Sequence, residues 1–504
     1  MAGFVRQEVD RHHSRGRRLN PGAPDNAPET VGGQGSSGHG VGRRGFCGTP
    51  PDARLTPAPG PAPLRSPLLS APILPTVWRL AWPGVVLVLF QSAVSIADTH
   101  YVGRIGTAPL AGLALVFPFV MMMQMLSAGA IGGGVSSAIA RAIGAGDTPR
   151  AEALLAHALV LGLVLGSVFG LLMLLAGPTL YHLLGGRDAV LDHAIAYSTI
   201  LFMGSPAVWV ANFSANALRG QGNTLRPSLM LSAAAIVHIP LTALLTPLWG
   251  VRGTAWAYVA AFSVGCGMML VMLARGAGTM RLRLLGMRWQ RRHFGDILGV
   301  GLLSSLSAVQ TVLSALILTG VVARFGTDAL AGYGVGVRLE LLLVPLTFAV
   351  GAALVPLTGT HVGAGMYERA KRIAWTGAGM AAAIAALIGL TVALFPQLWM
   401  DLFTRDANVH ATGAAYLRIV APFYICAGIA VALYFASQGP KRVGWPVLAG
   451  TARLIVAAGG GWLAVRLGAG VDVVFMCIAA GLVTWAALTA LAVKLVSWRP
   501  AARS

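Results

Sequence analysis

The chain has 504 residues, 56% of them hydrophobic and only 11% charged, where a soluble globular domain carries about 25% charged residues. So few polar side chains cannot cover a water-facing surface, which argues against a soluble enzyme or a free nucleic-acid binder and for a polytopic membrane protein. The net charge of +20 does not change this, because 34 of the 37 basic residues are Arg and they fall between apolar runs in small groups, as loops beside a membrane do.

Residues 1–75 form a Gly-, Pro- and Arg-rich stretch without apolar periodicity, a composition that cannot bury enough surface to fold. Its basic segment RHHSRGRR leads into NPGAPDN and not into an apolar core, so it does not read as a signal peptide. From Trp78 onward, twelve apolar runs follow, near 78–101, 108–138, 151–177, 190–217, 226–249, 252–274, 296–323, 329–359, 371–396, 409–436, 443–465 and 472–496. Each is long enough to cross a ~30 Å hydrocarbon layer as a helix and too long for a barrel strand. The predicted fold is an all-α polytopic membrane protein with twelve transmembrane helices. A first six-helix lobe spans 76–274, a basic linker 275–295, and a second lobe 296–498.

Cationic residues set the expected orientation. With the N-terminus inside, the even-numbered loops and the C-terminal tail hold 18 Lys and Arg, among them Arg150, Arg226, Arg275, Lys371 and Lys441, and the odd-numbered loops hold six. The bias places both termini and the 275–295 loop in the cytoplasm of a multi-pass protein of the cell inner membrane.

The two halves repeat. VGRIGTAPLAG at 102–112 matches VARFGTDALAG at 322–332, and Gly144-Ala145-Gly146 matches Gly363-Ala364-Gly365. With six helices per half, both copies enter the membrane in the same sense. Such a parallel repeat is the architecture of alternating-access transporters, which hold substrate between two lobes.

Of the 17 acidic residues, Asp98 and Glu340 lie well inside helices. A charge at mid-bilayer costs about 2.5–3.5 kcal/mol on insertion scales, so such residues usually face a cavity and work there. For Glu340, pairing with Arg338, Arg418 or Arg453 is an equally good structural role. Gln91, Asn212, Asn216 and His238 are candidates for lining the first lobe's cavity, with Thr242 and Tyr258 weaker ones, although interhelical hydrogen bonding is the commoner fate of membrane amides. The run Met121, Met122, Met123 and Met125 suits a pocket that repacks around varied ligands, but at least half of it reads as filler. The four cysteines form no CxxC pair, which points to packing residues and to no metal site. No GxxxxGK[ST] loop occurs, so energy is expected from an ion gradient and not from ATP.

The segments SIADTHYVGRIGTAPLAGLAL, GGGVSSAIARAIGAGDTPRAEA, ALRGQGNTLRP and GYGVGVRLELLLVPLTFAVGAALVPLTGTHVGAG resemble, in order, signatures of the multidrug and toxic compound extrusion (MATE) transporters. The resemblance runs from about residue 78 to 496. It implies cation-coupled export of amphipathic, often cationic, organic compounds between two six-helix lobes, with Asp98 at the place of the family's coupling aspartate. Two departures stand out. His238 and Thr242 replace the Asn and Asp that many members carry on helix five. The acids that the sodium-coupled branch carries inside helices seven and ten are missing, and helix seven offers only Gln310.

The expected function is therefore a secondary antiporter, not an enzyme, exporting a small organic substrate in exchange for protons from within the lipid bilayer. It is expected to be a monomer, with no cofactor and no nucleic-acid partner. Asp98 and Glu340 are the candidate cation-coupling residues, and Gln91, Asn212, Asn216, His238 and Thr242 the candidate substrate cavity. A lipid-linked sugar flippase of the same superfamily and a sodium-coupled exporter are the alternatives.

Overall fold

The computed structural model describes residues 67–276, 280–282 and 289–499. Most of the expected N-terminal tail and the centre of the 275–295 linker lie outside the described residues. Twelve apolar spans follow one another: α1 (Ile73–Gly103), α2 (Thr107–Gly144), α3 (Thr148–Leu183), α4 (Asp188–Met203 continued by Ser205–Gly220), α5 (Leu225–Trp249), α6 (Val251–Ala274), α7 (Arg291–Phe325), α8 (Thr327–Gly363), α9 (Tyr367–Leu394), α10 (Ala407–Gln438), α11 (Gly444–Arg466) and α12 (Val471–Leu495). Large apolar side chains such as Leu175, Leu387 and Leu394 point outward and are exposed, as they must be on a surface solvated by lipid.

Local chemistry explains the irregularities. α1 starts at Ile73, ahead of the predicted run, because Leu68 and Ile73 pack against the apolar core of the second lobe. α4 bends by 49° at Gly204, two residues before Pro206, whose missing N–H prevents a continuous ladder. α3 begins with Asp147 as its N-cap, the carboxylate accepting from Arg150 N at 3.0 Å. The tight turns before α3 and α9 both rest on a glycine with positive φ, Gly146 at 75° and Gly365 at 76°. The sequence repeat is thus also a backbone repeat.

The lobes meet at one end, which carries the starts of the odd-numbered helices and most of the loop cations; it is called the basic end below. There the last turns of α2 and α8 cross in reciprocal fashion: Gly144 faces the Thr360 carbonyl and Gly363 faces the Arg141 carbonyl, both too closely for a Cβ. Ser137 Oγ donates to Gln438 O at 2.6 Å, and Arg141 Nη1 donates to Gly439 O at 2.7 Å and to Ser137 Oγ. Arg150 on α3 pairs with Asp296 on α7 at 2.6 Å, and Lys441 approaches the same carboxylate at 3.6 Å. Among the described residues, every hydrogen bond between the lobes lies at this end.

α1 belongs to both lobes. Its first turns, with Val77, Leu80 and Ala81, sit in one buried cluster with Val350, Leu354, Ile373 and Val493 of the second lobe. Its far end, from Leu87 to Val102, packs in the core of the first lobe.

Candidate ion-coupling site

Asp98 lies one and a half turns from the far end of α1 and is only 8% exposed. α5 presents His238 and Thr242 one turn apart, on one helix face, and both are buried. His238 Nε2 stands 2.8 Å from Asp98 Oδ1, and Thr242 Oγ1 donates to the same oxygen at 3.1 Å. With Asp98 ionised, Nε2–H donates to the carboxylate; with Asp98 protonated, the acid O–H can donate to Nε2 instead. A proton can therefore be held by the pair without any change of partner. The His238 ring meets Tyr258 edge-on, with centroids 5.9 Å apart.

From Tyr258 a chain of amides runs into α2. Gln124 Nε2 donates to Tyr258 Oη at 2.8 Å, and Asn212 Nδ2 donates to Gln124 Oε1 at 2.9 Å and to Ser127 Oγ at 2.8 Å. Asn216 Nδ2 donates to Ala128 O at 3.1 Å and to Asn212 O at 2.9 Å. Met125–Ala130 forms a π turn within α2, a widening that leaves a carbonyl such as Ala128 O free to accept from another helix. The site thus joins α1, α2, α4, α5 and α6, five of the first lobe's six helices.

Four of the five cavity residues expected from sequence fall into this arrangement: His238 and Thr242 on Asp98, and Asn212 and Asn216 on α2. Gln91 does not; it is exposed. Gln310, the amide of helix seven, donates to Thr451 Oγ1 at 2.6 Å inside the second lobe. Gln124 and Ser127 are not among the residues the sequence singles out; Ser127 lies in the π turn and Gln124 just before it, and such a turn has no simple sequence signal. Of the methionine run, Met123 is core and Met121 is exposed.

Glu340 occupies a different setting. Its Oε1 lies 3.5 Å from Arg453 on α11, one of the three partners expected from sequence, and Tyr416 Oη donates to its Oε2 at 3.3 Å. Arg453 also covers the Trp485 ring at 4.8 Å. Arg338 sits over Phe403 and not on Glu340. Glu340 shares no side chain with the Asp98 group, so the two candidate acids sit in separate settings, one in each lobe.

Among the described residues no cluster of His, Cys, Asp and Glu could hold a metal ion. The model of the family described as MatE matches residues 83–244 and 304–463, one block in each lobe. The chain belongs to the MATE family. Similar proteins include an FAD transporter of Shewanella oneidensis, 25% identical over 373 residues that cover 73% of this chain and 82% of that one. A probable multidrug resistance protein NorM of Thermotoga maritima is 24% identical, covering 75% and 84%. Multidrug resistance protein PmpM of Pseudomonas aeruginosa is 26% identical, covering 71% and 77%. Among solved structures, a MATE family transporter described as an outward-facing multidrug resistance protein superposes with a TM-score of 0.79 at 25% identity, covering 85% of this chain and 97% of that one. A MOP superfamily transporter from Pyrococcus furiosus gives a TM-score of 0.80 at 25% identity, covering 85% and 96%. The two-lobe arrangement fits the MATE fold.

Proposed function

We propose that this MATE transporter is a proton-driven antiporter exporting small amphipathic or cationic organic compounds, with its basic end and both termini in the cytoplasm. The observation that carries the coupling ion is the Asp98–His238–Thr242 group: one carboxylate, one imidazole and one hydroxyl, all buried and hydrogen-bonded. Sodium sites are built from several oxygen ligands and favour more than one negative charge; a lone carboxylate facing an imidazole suits a proton.

In the cycle we infer, the lobes are sealed at the cytoplasmic end by the α2–α8 crossing and the Arg150–Asp296 pair, and the cavity opens outward. A proton arriving from outside neutralises Asp98, removes the counter-charge for a cationic substrate, and alters how the far end of α1 is held against α5. Because the foot of α1 rests in the other lobe, a change at Asp98 is carried mechanically to the lobe interface. One charge crossing 100 mV supplies about 2.3 kcal/mol, enough for roughly a fiftyfold gradient of a neutral substrate, whereas one-for-one exchange with a monovalent cation moves no net charge and is driven by the pH difference alone.

The Shewanella relative transports FAD, which supports a flavin nucleotide as the second substrate class to try. The test is efflux from proteoliposomes under an imposed proton gradient and, separately, a sodium gradient, with a cationic dye and with FAD as cargo. Export driven by protons alone is expected; a strict sodium requirement would overturn the choice of ion. Orientation is checked by placing cysteines at Met366 and at Gly470, the latter facing open space, in a cysteine-free background. An impermeant thiol reagent added to intact cells should label position 470 and spare position 366; the reverse pattern inverts the topology.

A further inference from the structure

At the basic end, on the outer flank of the second lobe, a surface pocket of about 600 Å³ is lined chiefly by Ile73, Glu368, Lys371, Arg372, Trp375 and Lys494. Three helices form it: the start of α1, the first turns of α9 and the last turn of α12. It lies away from Asp98, from Glu340 and from the lobe crossing. Three cations face one carboxylate, and among the described residues no ion pair engages any of the three cations. The Lys371 ammonium has only a long contact to the Lys494 carbonyl, at 3.4 Å. The first turn of α9 adds the partial positive charge of a helix start.

Trp375, two turns into α9 from the pocket floor, is 43% exposed. It places an aromatic ring on the hydrocarbon side of the cations, as interfacial tryptophans do. A basic recess with its tryptophan toward the acyl layer has the chemistry of a phospholipid headgroup site, since phosphate oxygens take up the ammonium and guanidinium donors while chains run down the apolar flank. We propose that this pocket binds the headgroup of an anionic phospholipid. That the pocket faces the cytoplasmic leaflet rests on the orientation proposed above; the binding chemistry does not.

The site has a mechanical consequence. Arg369, beside the pocket, already donates to Ala71 O at 2.6 Å, just ahead of α1, and Ile73 forms part of the wall. A bound headgroup would bear on the foot of α1 and on two helices of the second lobe at once, fixing the end of α1 opposite Asp98.

The test uses the purified full-length protein in detergent and native mass spectrometry, titrating phosphatidylglycerol, cardiolipin or phosphatidylcholine. The wild type should retain the two anionic lipids preferentially. Lys371→Gln combined with Lys494→Gln should weaken their retention about tenfold or more, since each cation near the surface contributes appreciably. Arg226→Gln, an exposed cation at the same end on the first lobe, should change nothing. Arg372→Gln alone serves if the double variant is not monodisperse, with a smaller loss expected. Equal retention in wild type and pocket variants, or equal retention of phosphatidylcholine, would overturn the proposal. So would inorganic phosphate that displaces the lipid at matched concentration, because the site would then be a simple anion site. The readout is independent of orientation in the membrane, so an inverted topology and an absent lipid site are told apart by the cysteine labelling described above.

Discussion

The two lobes share one plan and differ in their charge. In the first, the acid comes from α1 and its partners from α5; Asp98 is held by an imidazole and a hydroxyl, neither of which is a permanent cation. In the second, the acid comes from α8 and its partner from α11; Glu340 faces a guanidinium that keeps its charge throughout. α5 and α11 are counterparts in the repeat, so corresponding helices, though at different positions along them, supply a switchable partner in one lobe and a fixed one in the other. The counterpart of Asp98 in the second lobe, at the 220-residue offset of the adjoining repeat, is Leu318. Both halves share one scaffold, and among the described residues the buried carboxylate–imidazole pair lies in the first. A permanent counter-ion holds a carboxylate charged in every state, which suits a structural or gating contact. A partner that can itself gain or lose a proton lets the pair change charge during a cycle.

That contrast can be broken at its strong side first. Asp98→Asn keeps the size of the side chain and its place in the helix but can no longer change charge. The variant should reach the membrane and bind substrate, while exchange falls to below about one-hundredth of wild type, read by dye efflux at matched expression. His238→Gln preserves a donor but not titration. Loss of a hydrogen bond of proper geometry to a charged group costs about 1.5–3 kcal/mol, so exchange should drop roughly tenfold or more, with a pH profile altered in shape as well as height. An unchanged profile would reduce His238 to a packing residue.

At the lobe crossing, Asp296→Asn removes both the Arg150 and the Lys441 partner. These side chains are partly exposed, so the loss is about 1 kcal/mol. It should appear as faster thiol labelling of a cysteine at Ser137, which is buried between the lobes, with the fold retained. The smallest effect is expected at Glu340→Gln. The Tyr416 hydroxyl can still donate to the amide oxygen while the Arg453 pair is lost, and transport should fall by about two- to fivefold. A loss as deep as that of Asp98→Asn would erase the distinction between the lobes.

Much of this was legible in the sequence because membrane spans announce themselves by length and because the repeat is written twice. Asp98 and Glu340 stand out since acids are costly in hydrocarbon, and His238 and Thr242 because they stand where many members of the family carry an Asn and an Asp. Other features were hidden for physical reasons. Arg150 and Asp296 lie 146 residues apart and each reads as an ordinary loop charge; only the docking of the lobes makes them a pair. Ser127 sits in a π turn that begins just after Gln124, a feature that no hydrophobic period predicts. The bend of α4 lies beside Pro206, but proline is common in membrane helices and its consequence depends on packing. The dual allegiance of α1 is invisible from sequence, since an apolar helix does not say which lobe its two ends join.

The central claim is that substrate and proton compete through the Asp98–His238 pair. It is tested most directly by adding a cationic substrate to the purified transporter in lightly buffered detergent solution and recording proton release with a pH dye. Near the pH of half-maximal exchange, wild-type protein should release protons in proportion to substrate bound, and Asp98→Asn should bind substrate and release none. Equal release from the Asp98→Asn variant, or none from wild type across the pH range of transport, would contradict the account.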